Sequence, residues 1–172
     1  QIESKMYEDA ISTAKLIDDN NIYRSIALKE IAKKQAKSGD IDGAFSTAKQ
    51  IDDKDERSES LATIAKKQVK SGDIDGAISM AKLIDDNNDR SIALKTIAVE
   101  QAESGDLDGA FSTAKLIDDK GSQSSVLKTI AEKQIETGDL DSAFSTAKLI
   151  DTKLISSRYD RSIVLEGIVK KQ

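Results

Sequence analysis

The side chains that carry most enzymatic and metal chemistry are missing from this 172-residue chain, which contains no His and no Cys. Imidazole is the commonest general base and metal ligand, and thiolates supply nucleophiles and zinc ligands. An enzyme of this composition would have to rely on Asp, Glu and Lys, and the chain has no Gly-rich phosphate loop. We therefore expect no enzymatic activity, no catalytic residues, no cofactor and no metal site.

The stretch that most resembles a metal site is "DDNND". Asp85, Asn87 and Asp89 fit the first three ligand positions of a calcium loop. The sixth and twelfth positions would be Arg90 and Thr96, where such a loop needs Gly and a bidentate Glu. The letters "IDD" also recur without the rest of the loop. We interpret the stretch as a polar turn that caps the next helix.

Two further polar sets recur along the chain. Arginines follow the Asp pairs, which predicts a repeated surface ion pair across the turn rather than a catalytic group; they are Arg24, Arg57, Arg90 and Arg161. Glutamines lie on or beside an apolar helix face, where they either line a groove or bond to the adjacent inter-helix turn. We favour the turn for this set, which comprises Gln35, Gln68, Gln101, Gln134 and Gln172.

The elements that position these residues are repeated every 33 residues. "AKSGDIDGAFSTAK" begins at Ala36, and close variants begin at Val69, Ala102 and Ile135. In each unit, apolar residues at helical spacing predict a first helix, which a Gly ends. The Asp that follows predicts the N-cap of a second helix with its own apolar stripe. Each unit is therefore a helical hairpin, too small to bury its apolar surface without stacked neighbours.

One unit contains Leu28-x2-Ile31-Ala32-x2-Gln35 and then Ala44-x3-Ala48. This spacing resembles the tetratricopeptide repeat, although the period is 33 residues rather than 34, the closing Pro is missing, and Leu, Gln and Ala occupy the aromatic positions. The resemblance implies an all-α, right-handed superhelical solenoid of stacked antiparallel hairpins with about ten helices.

We expect a single repeat domain over residues 1–172. Its units would span residues 1–23, 24–56, 57–89, 90–122 and 123–160, followed by a terminal helix at 161–172. Five additional residues around "KLISSRY" lengthen the last unit.

In tetratricopeptide arrays the first helices usually line the concave groove, which implies a partner-binding face here. The basic residues on that face are Lys29, Lys33, Lys37, Lys66, Lys70, Lys95 and Lys128. The segments 24–38 and 57–71 carry net charges of +4 and +3, whereas 90–104 and 123–137 are neutral. This asymmetry favours an acidic partner segment on the N-terminal half. It also permits head-to-tail self-association of two copies.

The sequence thus favours a protein–protein interaction scaffold that binds a partner segment in its groove. The alternatives are an architectural spacer within a larger protein and an RNA-binding helical repeat. A net charge of −5 and 3% aromatic residues disfavour nucleic acid, and we expect no membrane partner. The chain starts at Gln1 rather than Met, which we interpret as removal of the natural N-terminus, so the sequence does not determine the compartment.

Overall fold

The computed structural model describes residues 2–18, 22–153 and 155–171. These residues form ten α-helices and no strand, so the predicted all-α class and helix number are confirmed. The helices are α1 (Ile2–Ala14), α2 (Ile22–Ser38), α3 (Ile41–Ala48), α4 (Lys54–Ser71), α5 (Ile74–Ala81), α6 (Asn87–Glu103), α7 (Leu107–Ala114), α8 (Lys120–Thr137), α9 (Leu140–Leu149) and α10 (Ile155–Lys171).

The chain divides into two compact units, Gln1–Arg90 and Ser91–Gln172. In the first unit, α2 packs against α1, α3 and α4, and α4 also packs against α3 and α5. In the second unit, α8 packs against α7, α9 and α10, and α9 packs against α10. The long helices α2, α4, α8 and α10 each pack against a short helix and against a further long helix.

The turn that leads from a long helix into the following short one has two or three residues and ends with a Gly and an Asp. Gly39 has a φ of 95°, a left-handed conformation that other residues rarely adopt, and this ends α2 as the sequence predicted. The carboxylate of Asp40 accepts a hydrogen bond from the amide of Gly43 at 2.9 Å. Asp40 is thus the N-cap of α3, and Asp73, Asp106 and Asp139 cap α5, α7 and α9.

A buried glutamine fastens this turn. Gln35 Nε2 donates to Asp40 Oδ2 at 3.2 Å, while Gln35 Oε1 accepts a hydrogen bond from Thr47 at 2.7 Å. The amide therefore joins the end of α2 to both the first turn and the far end of α3. We call this set of a Gln amide, an N-cap carboxylate and a Thr hydroxyl the glutamine bracket. The complete bracket recurs as Gln101, Asp106 and Thr113.

In the glutamine bracket, the Gln and Asp side chains lie close to the backbone of the third residue after the N-cap. A Cβ placed on Gly109 would lie 1.9 Å from Asp106 Oδ2 and 2.2 Å from Gln101 Nε2. In α9 this position is Ser142, and hydrogen bonds from its side chain and backbone hold the pKa of Asp139 below its usual range. Gln134 still accepts from Thr146 at 2.8 Å, but in the described part of the chain its amide makes no hydrogen bond to Asp139.

Alanines fill the contact between long and short helices. Ala44 and Ala48 in α3 are fully buried, as are their equivalents Ala77 and Ala81 in α5 and Ala143 and Ala147 in α9. A methyl side chain lets two helix backbones approach closely. The apolar cluster of the second unit combines such alanines with Leu127, Ile135, Ile150, Val164 and Ile168.

The last helix differs from its predicted bounds. The repeat places a terminal helix at residues 161–172, but α10 already begins at Ile155. Part of "KLISSRY" is thus helical, and Arg158 Nε donates to the carbonyl of Thr152 at 2.7 Å across the preceding turn. No Gly or Pro interrupts residues 155–160, so the helix extends towards the N-terminus.

Enlarging a buried alanine should cost stability through overpacking. We expect Ala77→Leu and Ala110→Leu each to lower the free energy of unfolding by about 1–3 kcal/mol, measured by urea denaturation. The exposed Lys82→Ala should cost less than about 0.5 kcal/mol. Equal effects at the alanines and at Lys82 would contradict the packing of α5 and α7.

Candidate partner-binding surface

Two of the predicted partner-binding lysines form ion pairs within the first unit. Lys29 on α2 forms ion pairs with Glu56 and Glu59 on α4; its Nζ lies 2.8 Å from Glu59. Lys33, one helical turn further, lies 2.8 Å from the other oxygen of Glu59 and 3.7 Å from Glu30. A single glutamate thus holds two ammonium groups, and the side chain of Lys29 keeps only 14% of its exposure.

This cluster changes the acidity of its members. Hydrogen bonds from Lys29 and Lys33 hold the pKa of Glu59 below its usual range. Hydrogen bonds to Glu56 and Glu59 raise the pKa of Lys29, and the bond to Glu59 raises the pKa of Lys33. These shifts favour the charged forms of Lys29, Lys33 and Glu59, which form an electrostatic link between α2 and α4.

The equivalent link recurs in the second unit. Lys128 on α8 lies 3.7 Å from Asp160 on α10 and 3.9 Å from Glu132 on its own helix. Lys128 and Asp160 occupy the repeat positions of Lys29 and Glu56. Lys95 is half-buried, and its charge makes a small contribution to the low pKa of Asp119, which hydrogen bonds from Ser122 mainly cause.

The remaining predicted lysines are exposed. Lys37 lies in the last turn of α2 and Lys70 in the last turn of α4, at equivalent repeat positions, and Lys66 lies one turn before Lys70. Within the described residues these three form no ion pair. Since α2 packs against α4, the structure brings together two lysine-rich helix ends, with Lys29 and Lys33 neutralised nearer the middle of α2.

The calcium-like stretch forms a helix cap. The carboxylate of Asp86 accepts a hydrogen bond from the amide of Asp89 at 2.8 Å, at the start of α6. Asp85 instead receives two hydrogen bonds from Arg57, and Asn87 accepts one from Arg90. Among the described residues no group of three or more acidic side chains is arranged to hold a metal ion.

The recurring arginines bind carbonyls as well as carboxylates. Arg57 pairs at 2.5 Å with Asp85, which lies in the turn after α5 and does not belong to the Asp pair that Arg57 follows. Its Nη1 also donates to the carbonyl of Ile51 at 2.7 Å, and Arg90 donates to Ile84 at 2.8 Å in the same way. The guanidinium groups therefore also bind a carbonyl in the turn between hairpins.

The interpretation of the glutamines as turn-binding residues is confirmed for Gln35, Gln68 and Gln101, each of which donates to the adjacent N-cap Asp. Gln172 lies outside the described residues. The sequence analysis overlooked the acidic partners Glu56, Glu59 and Asp160. Their signal was a Lys followed by an acidic residue about 30 positions later, on the next first helix.

Comparison of the chain with known protein families, curated proteins and solved structures finds no match. Of the helices that the structure describes, none combines the length and the apolar character needed to cross a membrane.

The pKa of Glu59 predicts a pH-dependent stability. Its folded pKa lies below its unfolded value, so its contribution is present at neutral pH and is lost as the pH falls through the folded pKa. We expect Glu59→Gln to be less stable than the parent chain at pH 7 by about 0.5–1 kcal/mol, because the half-exposed pair is screened by water. Urea denaturation at pH 7 and at pH 3 measures this difference in the free energy of unfolding.

The difference between the parent chain and Glu59→Gln should be smaller at pH 3 than at pH 7, because protonation of the carboxylate removes its ion pairs. The exposed Glu100→Gln on α6 serves as a control and should change stability little at either pH. A difference for Glu59→Gln that stays constant from pH 7 to pH 3 would contradict the ion-pair assignment.

Proposed function

We propose that this chain is a protein-interaction module, built as a tetratricopeptide-like solenoid, that binds an acidic segment of a partner protein along α2 and α4. The observation that carries the proposal is the charge of the neighbouring C-terminal halves of these helices. Residues 34–38 and 60–71, which do not include the paired Lys33, contain five lysines and no acidic residue. Clustered ammonium groups repel one another, and an anionic partner relieves that repulsion.

The solenoid part of the proposal is supported by the recurrence of the same contacts. The glutamine bracket appears in both compact units, and the Lys–acid link joins first helices in both. Hairpins of this size cannot bury their own apolar faces, so stacking of neighbours gives the continuous core that they need.

We restrict the proposed binding residues to three of the predicted lysines. Lys29 and Lys33 are held by Glu59, so a partner would have to displace that carboxylate to reach them. Lys37, Lys66 and Lys70 are exposed and are the residues that we assign to the partner. Their position near helix C-termini also has a local benefit, because cations there interact favourably with the helix dipole.

A specific observation also favours a second function, an architectural spacer. The neutralisation of Lys29 and Lys33 by α4 shows that part of the basic face serves the fold itself. A spacer requires no partner on α2 and α4, and it predicts that the exposed lysines can be replaced without any loss of binding.

Charge reversal should separate the two functions. The probe is a short fluorescein-labelled peptide of alternating glutamate and serine, titrated against the full chain by fluorescence anisotropy. We expect Lys66→Glu/Lys70→Glu to weaken binding by roughly five- to tenfold, because each exposed ion pair contributes up to about 1 kcal/mol. Added salt should weaken binding to the parent chain.

The matched control is Lys15→Glu/Lys82→Glu, which makes the same charge change at exposed positions outside α2 and α4. It should bind the peptide nearly as well as the parent chain. Equal losses in both variants would indicate non-specific attraction, and no binding to the parent chain would favour the spacer. A single-stranded RNA oligonucleotide at low salt should not bind; binding would favour the RNA-reading alternative.

A further inference from the structure

One hairpin, formed by α4 and α5, lacks four contacts that the hairpin of α2 and α3 makes. The first is the hydroxyl of the glutamine bracket. Gln68 donates to Asp73 at 2.8 Å, but Met80 stands where α3, α7 and α9 have a Thr. Gln68 Oε1 is therefore buried without a hydrogen-bond partner. A buried acceptor without a partner costs stability, because it has lost its water and gained nothing.

A second difference lies on the outer side of the same short helix. In α3, α7 and α9 a Phe is followed four residues later by a Lys whose ammonium lies over the ring; the separations are 4.5 Å for Lys49 and Phe45, 5.7 Å for Lys115 and Phe111, and 4.1 Å for Lys148 and Phe144. In α5 the Phe is replaced by Ile78, so Lys82 has no ring to cover.

A third difference lies between α4 and the start of α6. Ser25 accepts a hydrogen bond from the amide of Asp53, and Ser91 accepts one from Asp119, which ties each long helix to the beginning of a later one. Ser58 occupies the same repeat position and is fully buried, yet its hydroxyl has no partner. The beginning of α6 thus lacks this tie to α4.

The fourth difference is electrostatic. Asp89 stands at the repeat position of Glu56, but Ala62 replaces the Lys that would face it. Asp89 is half-buried, and its pKa is raised by that burial and by the negative charges of Asp86, Asp55 and Glu59. The link that joins α2 to α4 is thus absent between α4 and the first turn of α6.

We propose that α5 and the turn at residues 82–86 form a local opening unit, which detaches from α4 more readily than α3 detaches from α2. The residues that lack these four contacts all lie within residues 58–89 of the first unit. Opening would expose Ala77, Ala81 and Ile84, which are buried in the closed state. The boundary between the two compact units follows directly, after Arg90.

The segment keeps some contacts that define its closed state. Arg57 holds Asp85 in the turn after α5, and Asp73 still caps α5 through the amide of Gly76 at 3.0 Å. The ion pair is exposed and therefore sensitive to salt. These contacts make the segment a folded element with low local stability rather than an unfolded one.

Native-state amide hydrogen exchange on the full chain tests the proposal, because α3 is a matched control in the same compact unit. After correction for intrinsic rates, we expect the amides of α5 to exchange roughly five- to tenfold faster than those of α3, since one net hydrogen bond is worth about 1 kcal/mol. Equal or stronger protection of α5 would overturn the proposal.

Substitutions at Met80 test whether the missing hydroxyl causes the faster exchange of α5. Met80→Thr restores the hydroxyl and should slow exchange in α5 by about fivefold relative to Met80→Val, which has the same shape without the hydroxyl. Thr47→Val should speed exchange in α3 by a similar factor, because it introduces the same defect. If Met80→Thr and Met80→Val protect α5 equally, the missing hydroxyl does not weaken this hairpin and the proposal fails.

Discussion

The structure depends on the glutamine bracket more than on any other polar interaction. The turn of two or three residues between a long helix and the following short one leaves little chain to fix the angle of the hairpin. The buried apolar residues of the short helices are all alanines. Gln101 supplies the missing constraint, because its amide binds both the cap of α7 at Asp106 and the far end of α7 at Thr113. The glycine at position 109 is required by this contact, since a side chain there would meet both partners.

Charge serves two purposes on the same helices. Where a Lys on one long helix meets an acid on the next, as at Lys29 and Glu56, the pair joins the two helices. Towards the C-terminal ends of α2 and α4 no acid is available, and the lysines face water. The proposed acidic partner would neutralise these surface lysines in the same way as Glu56 and Glu59 neutralise Lys29.

Local features of the fold were predictable, whereas contacts between helices were not. Helix periodicity, Gly39 as a terminator and Asp40 as a cap depend on neighbouring residues, so the sequence reveals them directly. The ion pair of Lys33 with Glu59 joins residues 26 positions apart and depends on how α2 and α4 are rotated, which periodicity does not specify. Met80 occupies the repeat position of Thr47. That it leaves Gln68 without a hydrogen-bond donor can be recognised only once the bond from Thr47 to Gln35 is known.

The most direct test of this account is a double-mutant cycle on Gln101→Leu and Thr113→Val, with unfolding free energies measured by urea denaturation. We expect a coupling energy of about 1 kcal/mol or more, because the two side chains form one buried hydrogen bond. Gln68→Leu should cost less than Gln101→Leu, because Gln68 lacks a hydroxyl partner. Additive effects of Gln101→Leu and Thr113→Val would contradict the claim that the bracket holds the hairpin.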